Sequence, residues 1–164
     1  PHGTFRFLGQ HPNVDLVFVN SSEEVMELLR NVYDEALKQP IQREAELKKL
    51  IIIDEPSAGK LGKGIREIMK IVDACFSELR KFGYGMVLIA QYATDNRAIS
   101  TNVRENAETY FIFRKKTLSE LERIKTLKHP SLDIIPFLPE RYCMVYSEDY
   151  YPEPFFIRVP RLMF

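Results

Sequence analysis

The stretch KLIIIDEPSAGKLGKGI, residues 49–65, decides the fold. Its residues 50–53 form a continuous apolar run, which favours a short strand that is buried on both faces of a parallel sheet. Asp54 and Glu55 follow directly, and open α/β sheets place their ligands at the carboxyl ends of their strands. The stretch therefore predicts an α/β fold with two acids at a ligand-binding edge.

Two acids at the end of a buried strand are typical of the Walker B motif of nucleotide-hydrolysing proteins. In that motif the first acid, here Asp54, holds Mg²⁺, and the second, here Glu55, activates the attacking water. A strand that binds no ligand and simply runs into a polar turn produces the same pattern. Both interpretations stay open at this point.

The glycine and lysine residues of the same stretch do not form a phosphate-binding loop. That loop requires G-x-x-x-x-G-K-[ST], so that backbone N–H groups surround the phosphates and a hydroxyl reaches Mg²⁺. For Gly62-Lys63 the first glycine would fall at Ser57, and Gly64 stands where Ser or Thr is needed. We interpret this segment as a basic surface loop.

Length and composition indicate one globular domain over residues 1–164, with 45% hydrophobic and 28% charged residues. The formal net charge is zero, so any contact with DNA must come from a local basic patch. Cys75 and Cys143 lack metal-ligand spacing and are expected to be buried thiols. No membrane-length apolar run or signal peptide is visible, which favours the cytoplasm.

Apolar periodicity and capping residues predict strands that alternate with helices, and therefore a mostly parallel sheet. Capping boxes at Ser21/Glu24 and Thr117/Glu120 mark two helix starts. The two late strands are expected to form an antiparallel hairpin. The predicted strands are 13–20, 50–53, 86–91, 109–113, 141–147 and 154–160, and the predicted helices are 21–39, 65–82 and 117–127.

Gln91 ends the second buried strand, after one long helix. Because right-handed crossovers place such a strand near the first, its amide is expected to reach the same site as Glu55. There it would orient a water or contact a γ-phosphate. An ordinary glutamine at a strand end remains the alternative.

ABC transporter ATPases share the acids but differ at two other motifs. An LSGGQ-like segment should precede the acids, where this chain reads KQPIQREAELKK, and a histidine should stand at Gln91.

The chain instead resembles the HerA/FtsK superfamily of DNA-pumping ATPases, especially its HerA-like and conjugation-type branch. The matching segments, in order, are PHGTF (1–5), LIIIDEP (50–56), RKFG (80–83), LIAQ (88–91), NAETYFIFR (106–114), ELERI (120–124), LPERYCMVY (138–146) and PFFIRVPR (154–161).

The resemblance implies a RecA-like three-layer sandwich of the ASCE class and an ATPase that uses ATP and Mg²⁺ and translocates DNA. Asp54 would bind Mg²⁺, Glu55 would activate water and Gln91 would sense the nucleotide. The strand and helix of the P-loop are absent, and Thr4 replaces an acid of the family pattern. We therefore expect the C-terminal part of a longer enzyme, inactive alone. A non-catalytic assembly module with a RecA-like fold is the alternative, and an upstream P-loop would separate the two.

The resemblance also implies a homo-oligomeric ring, with six subunits as the expected number, in which a neighbour supplies an arginine to the γ-phosphate. Arg104 is the first candidate and Arg97 the second, with solvated loop arginines as the alternative. The Gly59–Lys63 loop and Arg114-Lys115-Lys116 are candidates for sequence-independent contacts with the DNA backbone, or are simply a solvated charged face. A nuclease, secretion or packaging partner, and attachment to a membrane complex through other regions, belong to the same expectation.

Overall fold

The computed structural model describes residues 12–15, 17, 19, 21–41, 46–54, 64–90, 100–114, 130–147 and 150–160. These residues form a mixed α/β structure with a two-stranded parallel sheet and a three-stranded antiparallel sheet. The α-helices are α1 (Ser22–Leu37), α2 (Ile65–Glu78) and α3 (Thr101–Asn106), and the 3₁₀ helices are η1 (Leu79–Phe82) and η2 (Pro130–Phe137). The strands are β1 (Lys49–Asp54), β2 (Tyr84–Ile89), β3 (Tyr110–Phe113), β4 (Tyr142–Ser147) and β5 (Tyr151–Arg158).

Helix α1 begins where the capping box predicts it. The Ser21 hydroxyl accepts a hydrogen bond of 3.2 Å from the backbone N–H of Glu24, which satisfies one of the donors that the first turn leaves unpaired. The helix ends at Leu37, shortly before Pro40, whose ring cannot continue it. The predicted helix is confirmed.

Strands β1 and β2 pair in parallel, with Lys49 opposite Tyr84 and Asp54 opposite Ile89. Because side chains alternate along a strand, Ile51, Ile53, Met86 and Leu88 share one face of the sheet. That face packs against α1 and α2. The parallel pairing of strands 50–53 and 86–91 is confirmed.

Helix α2 supplies most of the core between the sheet and α1. Ile68 and Val72 are fully buried, as is Leu79 of η1. Burying one such side chain stabilises the fold by about 1.5–3 kcal/mol. Cys75 is buried on the same helix, and its removal from water raises the pKa of the thiol to about 11. The predicted helix 65–82 is α-helical to Glu78 and continues as the 3₁₀ helix η1 to Phe82.

Gly83 makes the sharp connection between η1 and β2. Its φ of +83° is the left-handed conformation that glycine adopts without a steric penalty. A Cβ at this position would lie 2.6 Å from the carbonyl oxygen of Glu46. The Gly83 carbonyl also accepts a hydrogen bond of 2.7 Å from Lys48, so the turn aligns β1 with β2.

The second sheet has the strand order β3-β4-β5 and is antiparallel throughout. Ile112 and Met144 face η2, where Ile135 and Leu138 cover them. Arg141 precedes β4 with a φ of +67°, and it is the only non-glycine residue with a positive φ in the described part of the chain. The predicted C-terminal hairpin is confirmed as β4 and β5.

Three sequence expectations meet a different outcome, and a fourth lies outside the described residues. The strands are not mostly parallel in the described ranges, because β3 pairs antiparallel with β4 and so joins the predicted hairpin instead of the parallel sheet. The described residues of the predicted strand 13–20 lie in no strand. The polar segment before β3 contains the unpredicted helix α3. The predicted helix 117–127 lies outside the described residues.

Within the described ranges, no helix combines the length and apolar character needed to cross a bilayer.

Candidate functional site

Asp54 lies at the carboxyl end of the parallel sheet. It is the last residue of β1 and pairs with Ile89, the last residue of β2. Adjacent strands lie about 4.8 Å apart, so the two chains leave the sheet side by side. The Asp54 side chain is exposed, and no basic group of the described ranges forms an ion pair with it. The carboxylate is therefore available to a ligand at the edge where the sequence predicts one.

The other predicted residues of this edge follow the two strand ends in the sequence. Glu55 comes directly after Asp54, and Gln91 comes two residues after Ile89. Both lie outside the described residues, as does Arg97. The structure thus establishes the end of β1 at Asp54 and the end of β2 at Ile89, from which the chain continues to Glu55 and Gln91.

Packing fixes the position of these strand ends. Ile53 and Leu88 each precede a terminal residue, and both contact the cluster formed by the first half of α2. Ile65 and Ile68 belong to that cluster and are buried. A close-packed contact of this kind gives the edge a defined geometry, which a site for phosphoryl transfer requires.

Helix α3 carries Arg104, the first candidate for an arginine that acts on a neighbouring subunit. Its neighbour Val103 is 3% exposed and packs into the cluster that contains Ile53 and Leu88. Helix α3 and the strand residues Ile53 and Leu88 thus pack against the same cluster. The Arg104 guanidinium donates a hydrogen bond of 3.0 Å to the Thr101 hydroxyl. Within the described ranges it has no carboxylate partner.

A group of polar side chains fastens α3 to α2, and the sequence did not reveal it. The Ser100 hydroxyl caps α3 by accepting a hydrogen bond of 3.0 Å from Val103 N–H, and it donates to the Asp73 carboxylate. The Asn102 amide donates to the Asp73 carbonyl at 3.1 Å and to the Ser77 hydroxyl at 2.9 Å. Ser100 was detectable as an N-cap residue, but its partner on α2 depends on the tertiary fold.

A second group of linked ionisable side chains lies at the amino ends of the two parallel strands. Lys49 and Tyr84, the first residues of β1 and β2, both donate to the Glu35 carboxylate, at 2.8 Å and 2.9 Å. The hydrogen bond from Lys49 lowers the pKa of Glu35, and the same bond raises the pKa of Lys49. Burial, together with the bond to Glu35, raises the pKa of Tyr84. These groups join α1 to the amino ends of both strands, which is a structural role.

The proposed DNA-contacting residues are described only in part. Arg114 is exposed and directly follows β3. Lys115, Lys116 and the Gly59–Lys63 loop lie outside the described residues. Within the described ranges, no three His, Cys, Asp or Glu side chains come together as a metal-binding group.

Comparisons with known proteins return no match, either from protein-family models or from curated proteins. A functional interpretation therefore depends on the order of the motifs in the sequence and on the geometry of the strand ends. The parallel register that brings Asp54 beside the end of β2 is the central observation.

Proposed function

We propose that this chain is the C-terminal part of a RecA-like ATPase domain of the HerA/FtsK type, and that the complete protein hydrolyses ATP to translocate DNA. The observation that carries the proposal is the pairing of Asp54 with Ile89. It aligns the strand that ends in Asp54-Glu55 with the strand that leads to Gln91. A nucleotide-hydrolysing site of this class needs those two strand ends next to each other.

The uncovered face of the parallel sheet supports the three-layer architecture. On this face Leu50, Ile52, Val87 and Ile89 are 50%, 59%, 38% and 46% exposed. The opposite face is packed against α1 and α2. Parallel sheets are normally covered on both faces. In the proposed three-layer domain, a second helical layer covers this face.

The donor set at the strand end fits a magnesium ion. Mg²⁺ prefers carboxylate and water oxygens and is bound through one or two carboxylates together with substrate phosphates. Asp54 offers an exposed carboxylate that has no basic partner in the described ranges. Bound Mg²⁺ would neutralise charge on the phosphates of ATP.

Residues of this chain would supply other functions of the site. Glu55 accepts a proton from the attacking water and orients it, and Gln91 holds that water or contacts the γ-phosphate. The lysine and backbone amides that surround the phosphates would come from a P-loop in preceding polypeptide. Arg104, on a helix that is hydrogen-bonded to α2, would reach the nucleotide of the adjacent subunit in a ring.

The proposal is tested with the full-length polypeptide that contains this chain. Purified protein should hydrolyse ATP in the presence of Mg²⁺ and DNA, and an Asp54→Ala variant should lose hydrolysis. Glu27→Gln, an exposed acid on α1, is the control for removing a surface charge. Wild-type protein that assembles but never hydrolyses ATP would contradict the motor and favour a non-catalytic assembly module.

A further inference from the structure

Helix α3 is too short to hold its own position. It has six residues, and isolated helices shorter than about 12 residues are marginal in water. Of its six described residues Val103 alone is buried, in the cluster that contains Ile68 and Val72 of α2. One apolar contact sets the distance of a helix from its neighbour but leaves the helix free to turn about its own axis. The direction of the other α3 side chains, Arg104 included, therefore depends on further contacts.

Asn102 fixes the rotation of α3 against α2. Its amide donates to the Asp73 carbonyl at 3.1 Å and to the Ser77 hydroxyl at 2.9 Å. Asp73 and Ser77 are four residues apart on α2, so they present one stripe of that helix to α3. The Asn106 amide donates to the side-chain oxygen of Asn102 at 2.9 Å, which leaves the NH₂ group of Asn102 facing α2. Both ends of the Asn102 amide are thus bound.

The same contacts determine where Arg104 lies relative to α2. Successive residues of an α-helix are turned by about 100°, so Asn102 and Arg104 lie about 200° apart around α3. Because Asn102 is held on α2, Arg104 lies on the opposite side of α3, where its guanidinium bonds to the Thr101 hydroxyl. Loss of the bonds to α2 would let the short helix turn, and Arg104 would move with it.

Tyr110 holds the other end of α3. Its hydroxyl donates to the carbonyl oxygen of Arg104 itself. Tyr110 is the first residue of β3, and its side chain packs against the cluster that contains Ile112 and Ile135. The backbone at Arg104 is therefore tied to the antiparallel sheet, while Asn102 ties the same helix to α2.

We propose that Asn102 is a positioning residue, whose bonds to Asp73 and Ser77 of α2 set the direction in which Arg104 reaches the adjacent subunit. Tyr110 supports the same placement from β3. The inference rests on the proposed role of Arg104 in ATP hydrolysis. A cation that acts on a γ-phosphate must be placed closely, because a misplacement of about 1 Å can lower a rate about a hundredfold. Asn102 touches no nucleotide and acts only through Arg104.

The test measures steady-state ATP hydrolysis by variants of the full-length protein. Asn102→Ala should lower kcat about tenfold or more and leave KM for ATP near the wild-type value, since the nucleotide is held by its own subunit. Asn102→Asp keeps the size of the side chain but loses both donors, and it should be equally impaired. Tyr110→Phe removes only the hydroxyl, and it should lower kcat by a smaller factor.

Two further measurements distinguish positioning from a general loss of stability. In an Arg104→Ala background, Asn102→Ala should cause no further loss of hydrolysis, since no arginine remains to be positioned. Asn102→Ala subunits that are mixed with excess Glu55→Gln subunits should recover part of their hydrolysis, because the neighbour then supplies a correctly placed arginine. A defect within a subunit's own site would give neither result.

Ser21→Ala is the matched control. It removes a hydrogen bond of 3.2 Å at the start of α1, far in sequence from α3, and it should keep the wild-type kcat. If Asn102→Ala does not fold, Ser77→Ala removes one of the two acceptors on α2 and decides in its place. Its kcat should also fall while KM for ATP stays unchanged.

Two outcomes would overturn this inference alone. The first is an impaired Arg104→Ala together with Asn102→Ala or Ser77→Ala variants that match Ser21→Ala. The second is a further large loss when Asn102→Ala is added to Arg104→Ala, which would give Asn102 a structural role. Normal hydrolysis by Arg104→Ala rejects the arginine and its positioning but leaves the motor. A wild-type protein that hydrolyses no ATP rejects the motor and this inference with it.

Discussion

Asp54 and Ile89 are paired residues at the carboxyl ends of two parallel strands. This one register relationship determines where the residues that follow in the sequence leave the sheet. Lys49 and Tyr84, at the other end of the same two strands, are bound to Glu35 of α1. The amino ends of the two strands are linked to α1 by side-chain contacts, whereas the carboxyl end of β1 presents an exposed acid. The two ends of the sheet therefore have different roles.

Replacing Glu55 with Gln in the full-length protein should preserve ATP binding and abolish most hydrolysis. The amide keeps the size of the side chain but accepts no proton, and Asp54 remains able to hold Mg²⁺. Turnover should fall by about a hundredfold or more. Steady-state ATPase assays and nucleotide-binding titrations give the two quantities. Turnover near the wild-type value in the Gln variant would remove Glu55 from the chemistry.

The Ser100→Ala substitution should destabilise the protein more than Ser21→Ala does. Both serines cap helices, and losing such a cap costs about 1 kcal/mol. Ser100 also donates to Asp73 of α2, so its removal breaks a contact between helices as well. The free energy of unfolding from urea titrations measures the difference. Equal losses for the two variants would show that the bond to Asp73 contributes little.

The sequence predicts those parts of the fold that depend on local patterns. The cap at Ser21, the apolar run 50–53 and the glycine at 83 each act within a few residues, and the structure confirms the elements they mark. Strand orientation in the second sheet depends on which strands meet in space, and a periodicity of two residues does not encode it. The expectation of a mostly parallel sheet was wrong in the described ranges for that reason.

The candidate site was predicted to a similar extent. An apolar strand that ends in acids indicated the position of Asp54, and the parallel register agrees with it. The predicted burial of that strand on both faces was wrong, because Leu50 and Ile52 are half exposed and only the face of Ile51 and Ile53 is packed. The attachment of α3 to α2 was missed, because Asp73, Ser77 and Ser100 have no distinctive spacing. Only the folded chain brings them together.

Arg141→Gly should stabilise the protein slightly. Arg141 adopts a φ of +67°, and a left-handed backbone costs a residue with a side chain about 1–2 kcal/mol. Glycine avoids that cost but loses about 0.4–1 kcal/mol through its greater freedom in the unfolded chain. The net gain should be about 0.5 kcal/mol, a rise of about 1–2 °C in the melting temperature.

Arg141→Ala is the control for that substitution, since it removes the same side chain but keeps the backbone strain. It should give no gain in the melting temperature. A glycine variant less stable than the alanine variant would mean that the backbone at Arg141 is not strained.

The last prediction concerns Arg104 in the full-length protein. Arg104→Ala should bind nucleotide and assemble normally but hydrolyse ATP poorly. The expected cause is that the cation it supplies to the γ-phosphate of the neighbouring subunit is lost, an effect worth about 10³-fold or more in related reactions. Arg104 lies on α3, whose Val103 belongs to the buried cluster against which Ile53 and Leu88 also pack. In the described ranges Arg104 has no carboxylate partner. ATPase assays together with size-exclusion chromatography measure both properties.

Mixing the two inactive variants distinguishes a role in the neighbouring subunit from a role within one subunit. When Arg104→Ala subunits are mixed with excess Glu55→Gln subunits, some junctions combine an intact Glu55 with an intact arginine from the next subunit. Hydrolysis should then recover in part. A structural defect within one subunit would not be repaired by its neighbour. Normal hydrolysis by Arg104→Ala alone, or no recovery in any mixture, would assign the role to a different residue, and Arg97→Ala would then be tested in the same mixtures.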